Sequence, residues 1–203
     1  MRLTQDTYTT IAHPSTEVLF KDRKSKFYGH AFPVETESAI KPIVDALKRQ
    51  YPTASHFCYA WQIGIETKKY RANDDGEPKN SAGMPIYGQI LSYGITNILV
   101  VVVRIFGGVK LGVSGLITAY KTAAQMALET ATMENRVIET KMKLNFSYAI
   151  ISDVMRVLKK WNVRMVSQQM EGSCSFIIAL PKSKTDVIHQ ELKKIHPLKI
   201  AQC

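Results

Sequence analysis

A loop rich in glycine, with cations beside it, follows the most apolar run of the chain, Ile98–Val103. Residues 106–112, which we call the glycine loop, read Phe-Gly-Gly-Val-Lys-Leu-Gly and come directly after Arg104-Ile. Glycine has no Cβ, so successive backbone N–H groups can turn toward one anion, and a helix that follows adds partial positive charge. The pattern predicts an anion-binding loop. The residues concerned are Arg104, Gly107, Gly108, Lys110 and Gly112.

The glycine loop matches neither GxxxxGK[ST] nor GxGxxG, the two common nucleotide-binding patterns. A tight strand-to-helix turn, in which the glycines only allow close packing, is therefore the alternative interpretation.

An acidic turn precedes the apolar run. Residues 73–78 read Asn-Asp-Asp-Gly-Glu-Pro, and their carboxylates are ligands of the kind that a hard cation prefers. The turn falls short of an EF-hand loop, and Asp-Gly and Glu-Pro are also ordinary turn pairs. We expect no metal and no other cofactor. The alternative is a cleft facing the glycine loop, formed by His56, Asn73, Asp74, Asp75 and Glu77.

Nucleophilic catalysis finds little support in the sequence. His56 and Cys58 fall on the same side of a predicted strand, but side chains two residues apart on a strand meet poorly. The chain contains no GxSxG or HExxH motif, and its three cysteines form no CxxC pair. We therefore predict no catalytic residue and favour a binding protein over an enzyme.

Positive charge is the strongest feature of the composition. Lys and Arg number 27 against 17 Asp and Glu, which gives a formal net charge of +10. A field of this sign attracts polyanions, and basic residues beside aromatic ones suit phosphates and stacked bases. The alternative for each cluster is a solvated lysine-rich surface. Two such clusters are Lys21, Arg23, Lys24 and Lys26 beside Phe27 and Tyr28, and Lys68, Lys69 and Arg71 around Tyr70.

No segment of the 203 residues resembles a membrane span or a secretory signal, since the apolar run Ile98–Val103 is too short and the N-terminus lacks an apolar core. We expect a cytoplasmic protein without membrane contact.

Periodicity predicts an N-terminal unit of mixed α and β structure. Its predicted elements are strands at Tyr8–Ile11, Thr16–Lys21, Lys26–Val34, His56–Ile65 and Ile98–Phe106, helices at Thr36–Arg49, Pro85–Tyr93 and Leu116–Thr130, and a polar loop at 66–83. The strand at 98–106 is apolar on both faces at its centre, as a strand covered on both sides must be.

A second unit follows, with the order strand, helix, strand, strand, helix, strand. This βαββαβ order predicts a ferredoxin-like fold. The pattern places the boundary at 130–135, and we assign the domains to 1–132 and 133–203. The predicted elements are Arg136–Ser147, Ser152–Trp161, Arg164–Glu171, Ser173–Leu180, Lys184–His196 and Leu198–Ala201.

Several motifs together resemble the IMPACT family, the YigZ-like proteins, in its two-domain bacterial form. They are Ser25-Lys-Phe, His56-Phe-Cys-Tyr-Ala, Arg71-Ala-Asn-Asp-Asp-Gly-Glu-Pro, Ser81-Ala-Gly-Met-Pro-Ile and the run from Asn97 to Gly112. The chain departs from the family pattern at Ile105, at Lys79-Asn80-Ser81 and at Val113-Ser114. The resemblance implies a ribosomal-protein-type domain with a left-handed βαβ crossover, an exception to the usual rule, followed by a domain like the fifth domain of elongation factor G.

The resemblance also implies a process, because eukaryotic relatives regulate translation by competing for the activator of the amino-acid-starvation kinase. We expect a translation-associated protein that binds RNA, the ribosome or a ribosome-bound protein through a basic face. The expected contacts are Lys24, Lys26, Arg71, Arg104, Gly107, Gly108, Lys110 and Gly112. The alternative is a protein or enzyme that binds a small phosphorylated ligand between the acidic turn and the glycine loop.

Overall fold

The computed structural model describes residues 6–202, and these form two compact units. The first unit is Tyr8–Arg136, and the second contains the chain from Val137 onward together with Asp6 and Thr7. The predicted α+β class with two units is confirmed. The assignment of 1–132 and 133–203 as two family domains stays a prediction.

A five-stranded antiparallel sheet forms the centre of the first unit, in the order β2-β3-β6-β4-β5. Strands β3 and β4 therefore run in the same direction on either side of β6, and α1 connects them. A separate two-stranded sheet pairs β1 with β7. The elements are β1 (Thr7–Ile11), β2 (Val18–Asp22), β3 (Ser25–Pro33), α1 (Ile40–Gln50), β4 (His56–Ile63), β5 (Lys69–Asn73), α2 (Gly83–Ser92), β6 (Ile98–Ile105), α3 (Gly112–Glu129) and β7 (Met133–Val137).

Strand β6 is the middle of this sheet, and all of its residues from Ile98 to Arg104 are buried. Its even-numbered apolar residues pack with α2 and α3, whereas Leu99, Val101 and Val103 pack with α1 on the other face. Helices on both faces explain why the sequence shows an unbroken apolar run here instead of alternation. The prediction of a central strand is confirmed.

Several boundaries differ from the prediction, and the strand predicted at Arg136–Ser147 is two strands of different sheets, Met133–Val137 and Glu139–Phe146. Two further differences lie near the acidic turn and the glycine loop. The polar loop predicted at 66–83 contains β5, an edge strand whose polar residues give no hydrophobic alternation because only one side of it is paired. Helix α3 begins at Gly112 instead of Leu116, since glycines at 112 and 115 hide the start of the helical pattern.

The second unit has the βαββαβ order that periodicity predicts. Its four-stranded sheet is antiparallel throughout, in the order β11-β8-β10-β9, which is the ferredoxin-like arrangement. Leu144, Phe176 and Ile188 are fully buried in its core. The elements are β8 (Glu139–Phe146), α4 (Ile151–Lys160), β9 (Arg164–Glu171), β10 (Ser173–Pro181), α5 (Thr185–Lys193) and β11 (Lys199–Gln202).

Within residues 6–202, none of the helices is both long enough and apolar enough to span a membrane.

The burial of β6 predicts that alanine substitutions of two leucines differ greatly in their cost to the free energy of unfolding. Leu99 is fully buried in β6, whereas Leu91 in α2 is 53% exposed. We expect Leu99→Ala to lower the free energy of unfolding by about 2–5 kcal/mol, because it leaves a cavity in the core. The control Leu91→Ala should cost less than ~1 kcal/mol. Urea unfolding measures both, and equal losses would contradict the central position of β6.

Candidate functional site

A buried carboxylate links the acidic turn to the sheet and to α3. Glu77 Oε1 accepts hydrogen bonds from Arg104 Nη1 at 2.6 Å and from Tyr120 Oη at 2.7 Å. Nε2 of His56 lies 3.8 Å from the same oxygen. The Glu77 and Arg104 side chains are only 4% and 6% exposed, so this is an ion pair in the interior of the unit.

The remaining carboxylates of the acidic turn hold the backbone. Asp74 accepts hydrogen bonds from the amides of Asn80, Ala82 and Gly83, at distances of 2.8–3.0 Å, and so anchors the start of α2. Asp75 Oδ2 accepts from the amide of Phe57 at 2.6 Å. These bonds occupy both aspartates. Among residues 6–202, no group of three or more His, Cys, Asp or Glu side chains is arranged to hold a metal ion.

His56 and Cys58 are held by carbonyl groups of the acidic turn. The Asp75 carbonyl lies 2.8 Å from His56 Nδ1, and because a carbonyl can only accept, Nδ1 carries the proton. Cys58 Sγ donates to the Asp74 carbonyl at 3.0 Å. Burial, followed by the nearby carboxylates, raises the pKa of the Cys58 thiol well above its usual range, so it stays protonated at neutral pH. The thiolate, which is the nucleophilic form, is therefore disfavoured in the folded protein.

A cleft of about 420 Å³ opens between the acidic turn and the glycine loop. Of the five residues predicted for this cleft, His56 and Glu77 line it, together with Arg104, Lys110 and Gly112 from the other predicted set. The rest of its wall is apolar and consists of Pro78, Phe106, Leu111, Val113 and Leu116.

Asn73 and Asp75 line a different groove, together with Arg71, on the α1 face of the sheet. Its volume is about 310 Å³, and Phe57, Tyr59 and Trp61 contribute the aromatic part of its lining. The structure thus places Arg71 away from the other predicted anion-binding residues that line the cleft.

The glycine loop packs directly on the tip of the β2–β3 hairpin. The amide of Gly107 donates to Ser25 Oγ at 3.2 Å, and a Cβ at position 107 would overlap the backbone of Lys24 and Ser25. Glycine is therefore required here for close approach. This contact brings the exposed side chains of Lys24 and Lys26 to the side of the unit that carries Lys110.

The amides of the loop divide into two groups. That of Gly107 is used internally, whereas those of Gly108, Val109 and Lys110 donate to no other group within residues 6–202. Gly108 and Gly112 have φ of +84° and +76°, and a Cβ at either position would meet no neighbouring atom. Glycine is therefore favoured at both positions by the backbone conformation and not by lack of space.

The family-model comparison supports the resemblance. The model of the Impact N-terminal domain matches residues 23–128, just over half of the chain, and this range contains the acidic turn, the cleft and the glycine loop. The chain belongs to the IMPACT family.

Bacterial IMPACT-family proteins are similar to this one over most of its length. A family member of Thermus thermophilus is 31% identical over 159 residues, which cover 78% of this chain and 86% of that one. The Escherichia coli family member YigZ is 29% identical over 164 residues, 80% of each. A crystal structure described as that of a hypothetical protein covers 98% of both chains, with a TM-score of 0.74 and 26% identity.

The sequence prediction for this IMPACT-family protein lacks one residue that bonds to the buried carboxylate of Glu77. Tyr120 is fully buried on α3 and donates to Glu77, 43 residues away. The available signal is weak, because a tyrosine in a helix rich in alanine is usually a core residue. Its pKa is raised, chiefly by burial, so it remains a hydrogen-bond donor.

The raised pKa of Cys58 predicts slow alkylation. At about pH 8 we expect iodoacetamide to modify Cys58 far more slowly in the folded protein than in concentrated urea, because the thiolate is the reactive form. Mass spectrometry of the Cys58 peptide over time measures the two rates. A folded-state rate equal to the rate in urea would contradict the burial and protonation of the thiol.

Proposed function

We propose that this protein acts in translational regulation by binding RNA on the ribosome through a basic surface. The surface consists of the hairpin tip, residues 22–26, and the glycine loop. The process comes from the family resemblance, and the contact between Gly107 and the hairpin tip carries the proposal, since it joins two basic segments 83 residues apart.

The exposed groups on this surface suit nucleic acid. Arg23, Lys24, Lys26 and Lys110 are all exposed. The ring of Phe106 is 45% exposed, and an aromatic ring among cations is the usual platform for an unpaired base. Arg104 is omitted from this surface because its charge is buried and paired with Glu77.

The backbone of the hairpin tip supports a functional role for its charges. Asp22 pairs with Ser25, so Arg23 and Lys24 form a two-residue turn with φ of 42° and 67°. Asn-Gly is the preferred pair for such a turn, and side chains at positive φ cost roughly 1 kcal/mol or more. Two cations at these positions are explained if a polyanion is their partner.

This reasoning predicts opposite changes in stability and binding for one variant. Arg23→Asn/Lys24→Gly should raise the free energy of unfolding by about 1 kcal/mol, because the turn loses its strain. It should weaken binding to a labelled fragment of ribosomal RNA and reduce the slope of log K against log salt by ~1–2, since two phosphate contacts are lost. Fluorescence anisotropy between about 50 and 200 mM salt measures the slope.

The matched control is Lys193→Ala/Lys194→Ala, which removes the same charge from exposed positions of the second unit. Its salt slope should remain that of the unchanged protein. Gly107→Ala keeps every charge but cannot keep the contact with the hairpin tip, and it should also weaken binding. Equal affinity of Arg23→Asn/Lys24→Gly and the unchanged protein at every salt concentration would refute the proposal.

A further inference from the structure

Arg104 contains a buried donor that the protein does not use. Nη1 pairs with Glu77 and Nη2 lies 3.5 Å from Ser25 Oγ, but within residues 6–202 Nε has no hydrogen-bond partner. A buried polar group left unsatisfied costs about 1–3 kcal/mol, and native proteins retain few of them. Arg104 lines the cleft, so an acceptor on a bound ligand is the partner that this donor lacks.

One of the two rings beside the guanidinium is exposed to solvent. Arg104 Cζ lies 5.5 Å from the centre of the Phe27 ring and 5.4 Å from that of Phe106. Phe27 is fully buried, whereas Phe106 is 45% exposed and begins the glycine loop. Rotation of the Phe106 side chain is therefore the least costly way to give a ligand access to Nε.

The glycine loop supplies further donors beside the cleft, since Lys110 lines it and Gly108 and Val109 directly precede Lys110. The amides of Gly108, Val109 and Lys110 have no acceptor within the described chain, and the 18-residue helix α3 begins immediately afterwards. Unpaired amides before a helix N-terminus favour an anion. They strengthen the case made by the buried Arg104, which is independent of them.

The net charge of the cleft limits the charge of its ligand. Glu77 cancels Arg104, which leaves Lys110 as the uncompensated cation of the lining when His56 is neutral. His56 donates through Nδ1, so its Nε2 is then an acceptor, suited to a hydroxyl group. The apolar wall, which includes Leu111 and Leu116, offers contact to an uncharged body.

We propose that this cleft binds a small molecule that carries one anionic oxygen group, a carboxylate or a phosphate ester, on an apolar body. The anionic group bonds to Arg104 Nε and to the free amides of the glycine loop, near Lys110. The body packs against Leu111 and Leu116. A volume of about 420 Å³ lies within the range of small-molecule sites. This site does not depend on the binding of RNA.

Nitrogen–proton NMR correlation spectra test the proposal directly, because they show both the Arg104 Nε–H group and the backbone amides. The probes are phenyl phosphate and benzoate. Inorganic phosphate and acetate are the matched control compounds, since they lack the apolar body. We expect at least one aromatic probe to shift the signals of Arg104 Nε–H and Gly108 to saturation. Its Kd should be about tenfold or more below that of the matched control compound. The two aromatic probes distinguish a phosphate site from a carboxylate site.

Variants connect these shifts with the cleft. Lys110→Gln should raise the Kd of the binding probe about tenfold, since it removes the uncompensated charge, whereas Lys193→Gln in the second unit should leave it unchanged. Phe106→Ala removes the exposed ring beside the guanidinium and keeps Lys110 and Arg104. This variant should bind the probe at least as tightly as the unchanged protein does. Shifts that never saturate, or an equal response of Lys110→Gln and Lys193→Gln, would overturn the proposal. Since no probe contains nucleic acid, neither result bears on the RNA proposal.

Discussion

The buried ion pair between Glu77 and Arg104 is the interaction on which the arrangement of the first unit depends. Glu77 belongs to the acidic turn, and Arg104 lies near the end of the central strand β6. Removing either partner would leave a charge in the interior, at a cost of about 3–5 kcal/mol. The pair is therefore a constraint on the structure, and it fixes the acidic turn opposite the glycine loop, with the cleft between them.

The same arginine connects the cleft with the basic surface. Ser25, at the hairpin tip, lies 3.5 Å from Arg104 Nη2 and accepts a hydrogen bond from the amide of Gly107. The hairpin tip, β6 and the glycine loop thus share one hydrogen-bond network. The network uses the Gly107 amide, whereas those of Gly108, Val109 and Lys110 have no acceptor among residues 6–202. One loop thus provides both a packing contact and donors for an anion.

Local patterns predict the fold well where one face of each element is buried. The second unit is the best example, since the predicted strand Ser173–Leu180 differs by one residue from β10, in which Cys174, Phe176 and Ile178 are buried. Strand β5 is not predicted because it is a polar edge strand without hydrophobic alternation. The burial of Arg104 is not predicted because a cation beside a glycine loop is expected to be exposed. The partners of Arg104, 27 and 79 residues away, are set by the strand order, which periodicity does not encode.

A double-mutant cycle on Glu77→Gln and Arg104→Met tests most directly whether the ion pair organises the unit. Urea unfolding of the two single variants and the double variant gives the free energies. We predict that each single change costs about 3–5 kcal/mol and that the double change costs at least ~2 kcal/mol less than their sum, because it leaves no unpaired charge. Strict additivity of the two single losses would contradict the account.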